Sequence, residues 1–197
     1  MVRRLVLLLM LCLALAACTD DPSTTAGPAT SATTPTTDAP PDGPLATLPD
    51  ESSLEPNATV ERIVDGDTLV AIVGDQRERV RLLGIDTPES VAENRPDQCY
   101  GQEASDYLTA LLPEGAEITL ILDEEARDQY DRLLAYIVRS SDDLFVNLDL
   151  IEQGYAGVLI YDPNDHYESL FRAAERDAVE AGIGLWGVCG GPDVPLE

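Results

Sequence analysis

The chain has 197 residues, of which 37 are acidic and 12 are basic, so its formal net charge is −25, and every basic residue is an arginine. This balance excludes the usual basic surface by which a protein attracts a polyanion. His166 is the only histidine, which excludes a metal site with two histidine ligands from one chain and makes a carboxylate the expected general base.

Residues 1–18 are predicted to be an export signal. Arg3 and Arg4 precede an apolar run at 5–14 that is too short to span a bilayer. Small residues then lead to Cys18, an ending that resembles the lipobox of bacterial lipoproteins, whose cysteine is lipidated and becomes the mature N-terminus. The alternative is an ordinary signal peptide that happens to contain a cysteine. We expect a lipid on Cys18 to hold the protein at the extracellular face of the cell membrane.

Residues 19–56 contain eight prolines, nine threonines and seven acidic residues, without a hydrophobic period. Such a composition cannot form a core and is typical of a disordered tether. The remaining residues, 57–197, are enough for one domain. They include 30 acidic residues and 10 arginines, a formal charge of −20.

The hydrophobic pattern of this domain predicts strands first and helices later. Short β-rich segments separated by turn residues indicate a meander of three strands, and apolar residues that recur at the spacing of a helix indicate helices. The predicted strands are 58–64, 68–73, 77–85, 118–123 and 133–139, and the predicted helices are 101–112, 146–153 and 165–181. Five strands with about three interleaved helices favour an α+β fold built on a small closed barrel, such as the OB-fold.

Two acidic residues fall where the meander would bring them together. Asp67 opens the second predicted strand and Asp86 follows the third, and these strand ends are neighbours in an antiparallel meander. Carboxylate oxygens are suitable ligands for a hard cation such as Ca²⁺. Pro88 favours an extended Thr87, whose carbonyl would face the same ion.

Other residues nearby suit the chemistry of phosphate esters. Glu89, one residue past the proline, would hold and deprotonate a water molecule. Arg81 and Arg132 would grip a phosphate with paired N–H donors. A cation, a water molecule, a base and two arginines are what phosphodiester hydrolysis requires. Each segment alone has a structural alternative, as a turn, a loop or a charge-balancing strand face.

Taken together, these segments resemble the staphylococcal nuclease (thermonuclease) family over residues 57–187. The matching segments are 63–68 (IVDGDT), 81–89 (RLLGIDTPE), 100–104 (YGQEA), 128–136 (DQYDRLLAY), 154–156 (GYA) and 185–186 (LW). They cover nearly the whole predicted domain, and their joint pattern is far more specific than any one of them.

The resemblance implies an OB-fold barrel with three helices and Ca²⁺-dependent cleavage of DNA and RNA that leaves 3′-phosphate ends. Matched residue by residue, it implies that the calcium ligands are Asp67, Asp86 and the carbonyl of Thr87. It implies that the phosphate-binding residues are Arg81 and Arg132, that the general base is Glu89, and that the neighbour of the nucleotide's other phosphate is Tyr130. The expected partner is nucleic acid, and we expect a monomer without a protein partner.

The sequence departs from the family pattern in three respects. Asp131 replaces the glycine that usually precedes the second arginine, and Gln129 stands where the best-known member has lysine. That member is strongly basic, whereas this domain has a charge of −20. With Ca²⁺ bound, the predicted site residues amount to one net positive charge. We therefore expect the site to attract phosphate only when the metal is present.

Cys99 and Cys189 are the two cysteines of the domain. In an exported protein two cysteines favour one disulfide, and two free thiols are the alternative. Two other functions fit parts of the sequence. A catalytically inactive OB-fold module at the cell surface fits the acidic charge, and a solute-binding lipoprotein fits the lipobox. The intact set of site residues favours a membrane-tethered nuclease, and a single domain argues against the two lobes of a solute-binding protein.

Overall fold

The computed structural model describes residues 48–49, 54–90 and 98–196. The predicted export signal, Cys18 and most of the predicted tether lie outside the described residues. Within the described part of the chain, no helix has the length and apolar character needed to cross a membrane.

Five of the described strands close into a barrel. The strands are β1 (Ala58–Ile63), β2 (Thr68–Val73), β3 (Gln76–Leu82), β4 (Ile85–Asp86), β5 (Glu117–Ile121), β6 (Leu133–Arg139), β7 (Leu144–Phe145) and β8 (Gly157–Val158). The order β3-β2-β1-β5-β6 is antiparallel throughout, and a parallel pairing of β3 with β6 joins its ends. This confirms the predicted closed barrel and gives β3 a partner strand on each side.

The predicted helices are present, with shifted ends. They are α1 (Gly101–Leu111), α2 (Val146–Glu152) and α3 (Glu168–Ala181), and a short α4 (Leu185–Val188) follows them. α3 begins later than predicted because the residues before it form a turn. In that turn the N–H of Glu168 donates to the carbonyl of Asp165 at 2.9 Å, and the N–H of His166 donates to Asp123 Oδ2 at 3.2 Å.

The turn between β3 and β4 positions two of the predicted site residues. β3 ends at Leu82, before the predicted end at residue 85, because Gly84 has a φ of +76°, a conformation that a strand does not continue through. A Cβ added to Gly84 would meet the ring of Phe171 at 2.5 Å, so α3 packs directly on the turn. The buried Asn147 donates to the carbonyl of Leu83 at 2.9 Å. Arg81 and Asp86, on either side of the turn, are thus held on a rigid support.

An aromatic cluster and a disulfide fix the helices to the barrel. The cluster consists of Tyr136, Phe145, Tyr167 and Phe171, all buried. The rings of Tyr136 and Tyr167 meet edge to face with centroids 4.7 Å apart, a favourable geometry for aromatic pairs. Cys99, just before α1, and Cys189, just after α4, form a disulfide with their Cα atoms 6.0 Å apart, which confirms the predicted pairing.

Candidate active site

Arg81 is the central residue of the candidate site. It lies on β3 opposite Thr68 of β2 and Leu134 of β6, and its side chain is 13% exposed. Its Nη2 donates to Asp86 Oδ1 at 2.8 Å, and its Nη1 forms an ion pair with Asp67 Oδ2. Burial acts to lower the pKa of Arg81, but the charges of Asp67 and Asp86 outweigh burial and raise it. The guanidinium therefore stays charged between two carboxylates.

Asp67 is a buried carboxylate that its neighbours hold in place. Oδ1 accepts a hydrogen bond of 3.1 Å from the hydroxyl of Thr68, and Oδ2 accepts two of 3.1 Å from the N–H and the hydroxyl of Thr87. A Cβ added to Gly66 would come within 2.6 Å of Thr87 Oγ1, so only glycine lets the two loops approach this closely. Thr87 thus contacts Asp67 through its N–H and its hydroxyl group. The coordination of calcium by its carbonyl stays a prediction.

The carboxylates outnumber the cations at this end of the barrel. Asp65 joins Asp67 and Asp86, and its Oδ1 accepts the N–H of Asp67 at 3.2 Å. Burial, reinforced by the charge of Asp67, raises the pKa of Asp65 to about 6. Burial also raises the pKa of Asp86 to about 6, against the lowering effect of Arg81. Three carboxylates around one guanidinium leave an excess of negative charge at neutral pH.

The predicted donor set, which is Asp67, Asp86 and the carbonyl of Thr87, fits a hard divalent cation. The excess charge matches a divalent ion, and oxygen ligands are those that Ca²⁺ takes. In the described residues, no three Asp, Glu, His or Cys side chains are already arranged as metal ligands. Asp65, Asp67 and Asp86 therefore do not form a three-carboxylate metal cluster. The predicted set consists of two carboxylates and a carbonyl, with Arg81 between the two acids.

Glu89 follows these residues with an exposed side chain and a fixed backbone. Its N–H donates to Gln98 Oε1 at 2.6 Å, and its carbonyl accepts the N–H of Gln98 at 2.8 Å. The first turn of α1 also lies against it, since a Cβ added to Gly101 would approach the carbonyl oxygen of Glu89 to 2.7 Å. The backbone that carries this carboxylate is therefore well defined.

Arg132 is held by a compact turn just before β6. Asp128 Oδ1 accepts the N–H groups of Tyr130 and Arg132, both at 2.9 Å, and Asp128 Oδ2 accepts Arg132 Nε–H at 2.6 Å. The guanidinium carbon of Arg132 lies 5.7 Å from the centre of the Tyr130 ring. Asp131 has a φ of +62°, so it keeps the left-handed conformation that the expected glycine would adopt. Aspartate tolerates that conformation better than most residues do.

A cleft of about 530 Å³ brings part of the predicted site together. Arg81, Tyr130 and Arg132 all line it, although they come from β3 and from the turn before β6. Asp67 and Asp86 contact Arg81 from outside this lining, and Glu89 is not part of it. The structure therefore places both arginines in one cleft and pairs the two acids with Arg81. The roles of these residues in binding and catalysis stay predictions.

The sequence analysis does not predict four residues that lie at the site. Asp65 and Asp128 lie inside the matching segments, and their short spacing to Asp67 and Arg132 is the sequence feature that could have indicated them. Tyr161 and Asn164 also line the cleft. Asn164 is buried and bridges both backbone groups of Glu125, at 2.8 and 2.9 Å. Nothing local in the sequence marks these two, because only the fold brings their loop to the cleft.

The chain matches a known family and several named proteins. The family model described as "Staphylococcal nuclease homologue" matches residues 79–188. A protein named thermonuclease from Staphylococcus intermedius is 40% identical over 127 residues, which are 64% of this chain and 74% of that protein. Another thermonuclease, from Staphylococcus hyicus, is 31% identical over 144 residues, 73% of this chain and 83% of that protein. Endonuclease YncB of Bacillus subtilis (strain 168) is 36% identical over 136 residues, 68% of this chain and 63% of that protein.

Proposed function

The chain belongs to the staphylococcal nuclease family, and we propose that its cleft hydrolyses the phosphodiester bonds of DNA and RNA with the help of Ca²⁺. The chain is a nuclease, as the matches to thermonucleases and an endonuclease support. A solute-binding protein does not account for these relatives, and the intact set of site residues favours an active enzyme over an inactive barrel. The observation that supports this cleft is the placement of Arg81 and Arg132 in one lining, with Arg81 joined to Asp67 and Asp86.

The two arginines bind and orient the phosphate. Asp128 takes the Nε–H of Arg132, so the terminal nitrogens of Arg132 are the donors that can reach a phosphate oxygen. The nearby ring of Tyr130 is 72% exposed, and it would lie beside the neighbouring phosphate. Such preorganised donors stabilise the charge that develops on the phosphate oxygens.

Glu89 acts on the attacking water. Its exposed carboxylate can accept a proton from that water, the role of a general base. Its backbone is fixed by Gln98, so the carboxylate works from a defined anchor. The expected products carry 3′-phosphate ends.

Asp67, Asp86 and the carbonyl of Thr87 would hold Ca²⁺. When bound, the ion would supply positive charge next to the scissile phosphate. The structure adds Asp65 and Asp128 to the charges near the site, so its formal charge is about −1 even with calcium. Without the metal its formal charge is about −3 and repels nucleic acid, which predicts a steep dependence of activity on calcium.

A calcium titration tests this function. Initial rates on denatured DNA and on RNA should rise from near zero with added Ca²⁺, and end-group analysis should find 3′-phosphates. Glu89→Gln should lose about 10²–10⁴-fold in turnover at every calcium concentration. Asp67→Asn should instead raise the calcium concentration for half-maximal rate, so excess calcium partly restores it. Parental activity in Glu89→Gln would show that the base is another group.

We also propose that the enzyme is tethered to the extracellular face of the membrane through Cys18. The lipobox-like ending at Cys18 and the proline- and threonine-rich segment after it support this location. Cys18→Ser should move the protein from the membrane fraction to the soluble fraction without changing its specific activity. A variant that stays in the membrane fraction would indicate a different attachment.

A further inference from the structure

We propose that Gln98 is a positioning residue for Glu89, and that the C-terminal segment, residues 189–196, braces Gln98. This inference rests on the proposed role of Glu89 as general base. It concerns residues that lie outside the predicted calcium and phosphate contacts.

Gln98 holds both backbone groups of Glu89. The side-chain Oε1 of Gln98 accepts the N–H of Glu89 at 2.6 Å, and the backbone N–H of Gln98 donates to the carbonyl of Glu89 at 2.8 Å. The carbonyl of Gln98 in turn accepts the N–H of Gly101 at 3.0 Å. Glu89 is therefore tied to the start of α1 through a single residue.

The C-terminal segment holds the other end of the Gln98 amide. Gln98 Nε2 donates to Asp193 Oδ1 at 3.1 Å, across 95 residues of sequence. Beside it, the N–H of Cys99 donates to the carbonyl of Val194 at 2.7 Å, and Gln98 forms an antiparallel bridge with Pro195. The disulfide from Cys99 to Cys189 fixes the same segment covalently.

This arrangement needs a carboxamide. One atom of the Gln98 side chain accepts from Glu89 while the other donates to Asp193, and alanine offers neither contact. The carboxylate of Glu89 is exposed, so its position depends on its backbone more than on packing around it. A base displaced by about 1 Å can lose on the order of 10²-fold in rate. Loss of the Gln98 contacts should therefore lower turnover rather than substrate binding.

The test measures kcat and KM of the full chain on denatured DNA at saturating Ca²⁺. Gln98→Ala should lower kcat by about 10- to 100-fold while KM stays within about twofold. Asp193→Ala should lower kcat in the same direction by a smaller factor, and Asp193→Asn, which keeps an acceptor oxygen, should restore it. Gln102→Ala is the matched control, because Gln102 is an exposed glutamine on α1 whose amide donates to Asp106 at 2.8 Å. It should behave as the parent does.

A double variant separates positioning from a general structural effect. If Gln98 acts through Glu89, Gln98→Ala should change kcat by less than about twofold in the Glu89→Gln background. An equal loss in both backgrounds, or a parental kcat in Gln98→Ala, would overturn the inference while leaving the nuclease site intact. Full activity of Glu89→Gln alone would instead refute the proposed base, and this inference with it. Should Gln98→Ala melt far below the parent, the comparison of Asp193→Ala with Asp193→Asn decides the question.

Discussion

Arg81 and Asp86 are joined across the turn that follows β3 by a hydrogen bond of 2.8 Å between Nη2 and Oδ1. Asp86 is also a predicted calcium ligand, as is Asp67, which forms an ion pair with the same guanidinium. The arginine and a bound cation would therefore draw on the same carboxylates. This sharing would couple phosphate binding to metal binding, because an arginine released from its acids would have donors available for substrate.

Removing the charge of Arg81 should have opposite effects on phosphate binding and on calcium binding. Arg81→Gln should lose at least about 10²-fold in turnover, since it deletes a charged donor to the phosphate. Its affinity for Ca²⁺ should rise by about five- to tenfold, because a positive charge near the ion is gone. Calorimetric titration with calcium in the absence of substrate measures the second effect. Arg79→Ala, an exposed arginine on the same strand, is the control, and weaker calcium binding in Arg81→Gln would contradict the shared-ligand argument.

The left-handed conformation of Asp131 predicts which substitutions the turn accepts. Asp131→Gly should keep the parental rate, because glycine adopts a φ of +62° without strain. Asp131→Ala should be less stable than the parent, and less stable than Asp131→Gly by about 1–2 kcal/mol in the free energy of unfolding, because alanine has neither the freedom of glycine nor a polar side chain that bonds locally. Thermal or urea unfolding of the three proteins gives the order. A parental stability for the alanine variant would mean that the turn changes shape readily.

Asp128 should make the stability of the Arg132 turn depend on pH in the acid range. Burial acts to raise the pKa of Asp128, but hydrogen bonds from the backbone N–H and the guanidinium of Arg132, and from the N–H of Tyr130, lower it below its ordinary value of 3.8. A lowered folded-state pKa means that Asp128 stabilises the fold fully above that ordinary value and loses the effect as pH falls through its folded pKa. The parent should therefore unfold less readily than Asp128→Asn at pH 7, and the difference should shrink in acid. A difference that grows toward low pH would contradict this assignment.

The parts of the fold that could be predicted are those with a long local pattern. The alternation in β3 and the helical spacing in α3 extend over enough residues to show a period, and the short segments that contain Arg81 and Arg132 are distinctive in sequence. β4 and β8 could not be predicted, because strands of two residues have no period to detect. The contact of Gln98 with Asp193 joins residues 95 apart, so only the closed barrel and the disulfide bring them together.

The disulfide between Cys99 and Cys189 should contribute to stability through the unfolded chain. A cross-link across a sequence separation of 90 residues restricts the denatured state and is worth up to about 4–5 kcal/mol in the chain-entropy model. Replacing both cysteines with serine should lower the melting temperature, and a reducing agent should lower that of the parent but not that of the double variant. Intact-mass analysis after alkylation without reductant should find neither thiol modified in the parent. Two modified thiols in freshly exported protein, or equal melting temperatures for parent and double variant, would show that the bond does not form or does not restrict the unfolded chain.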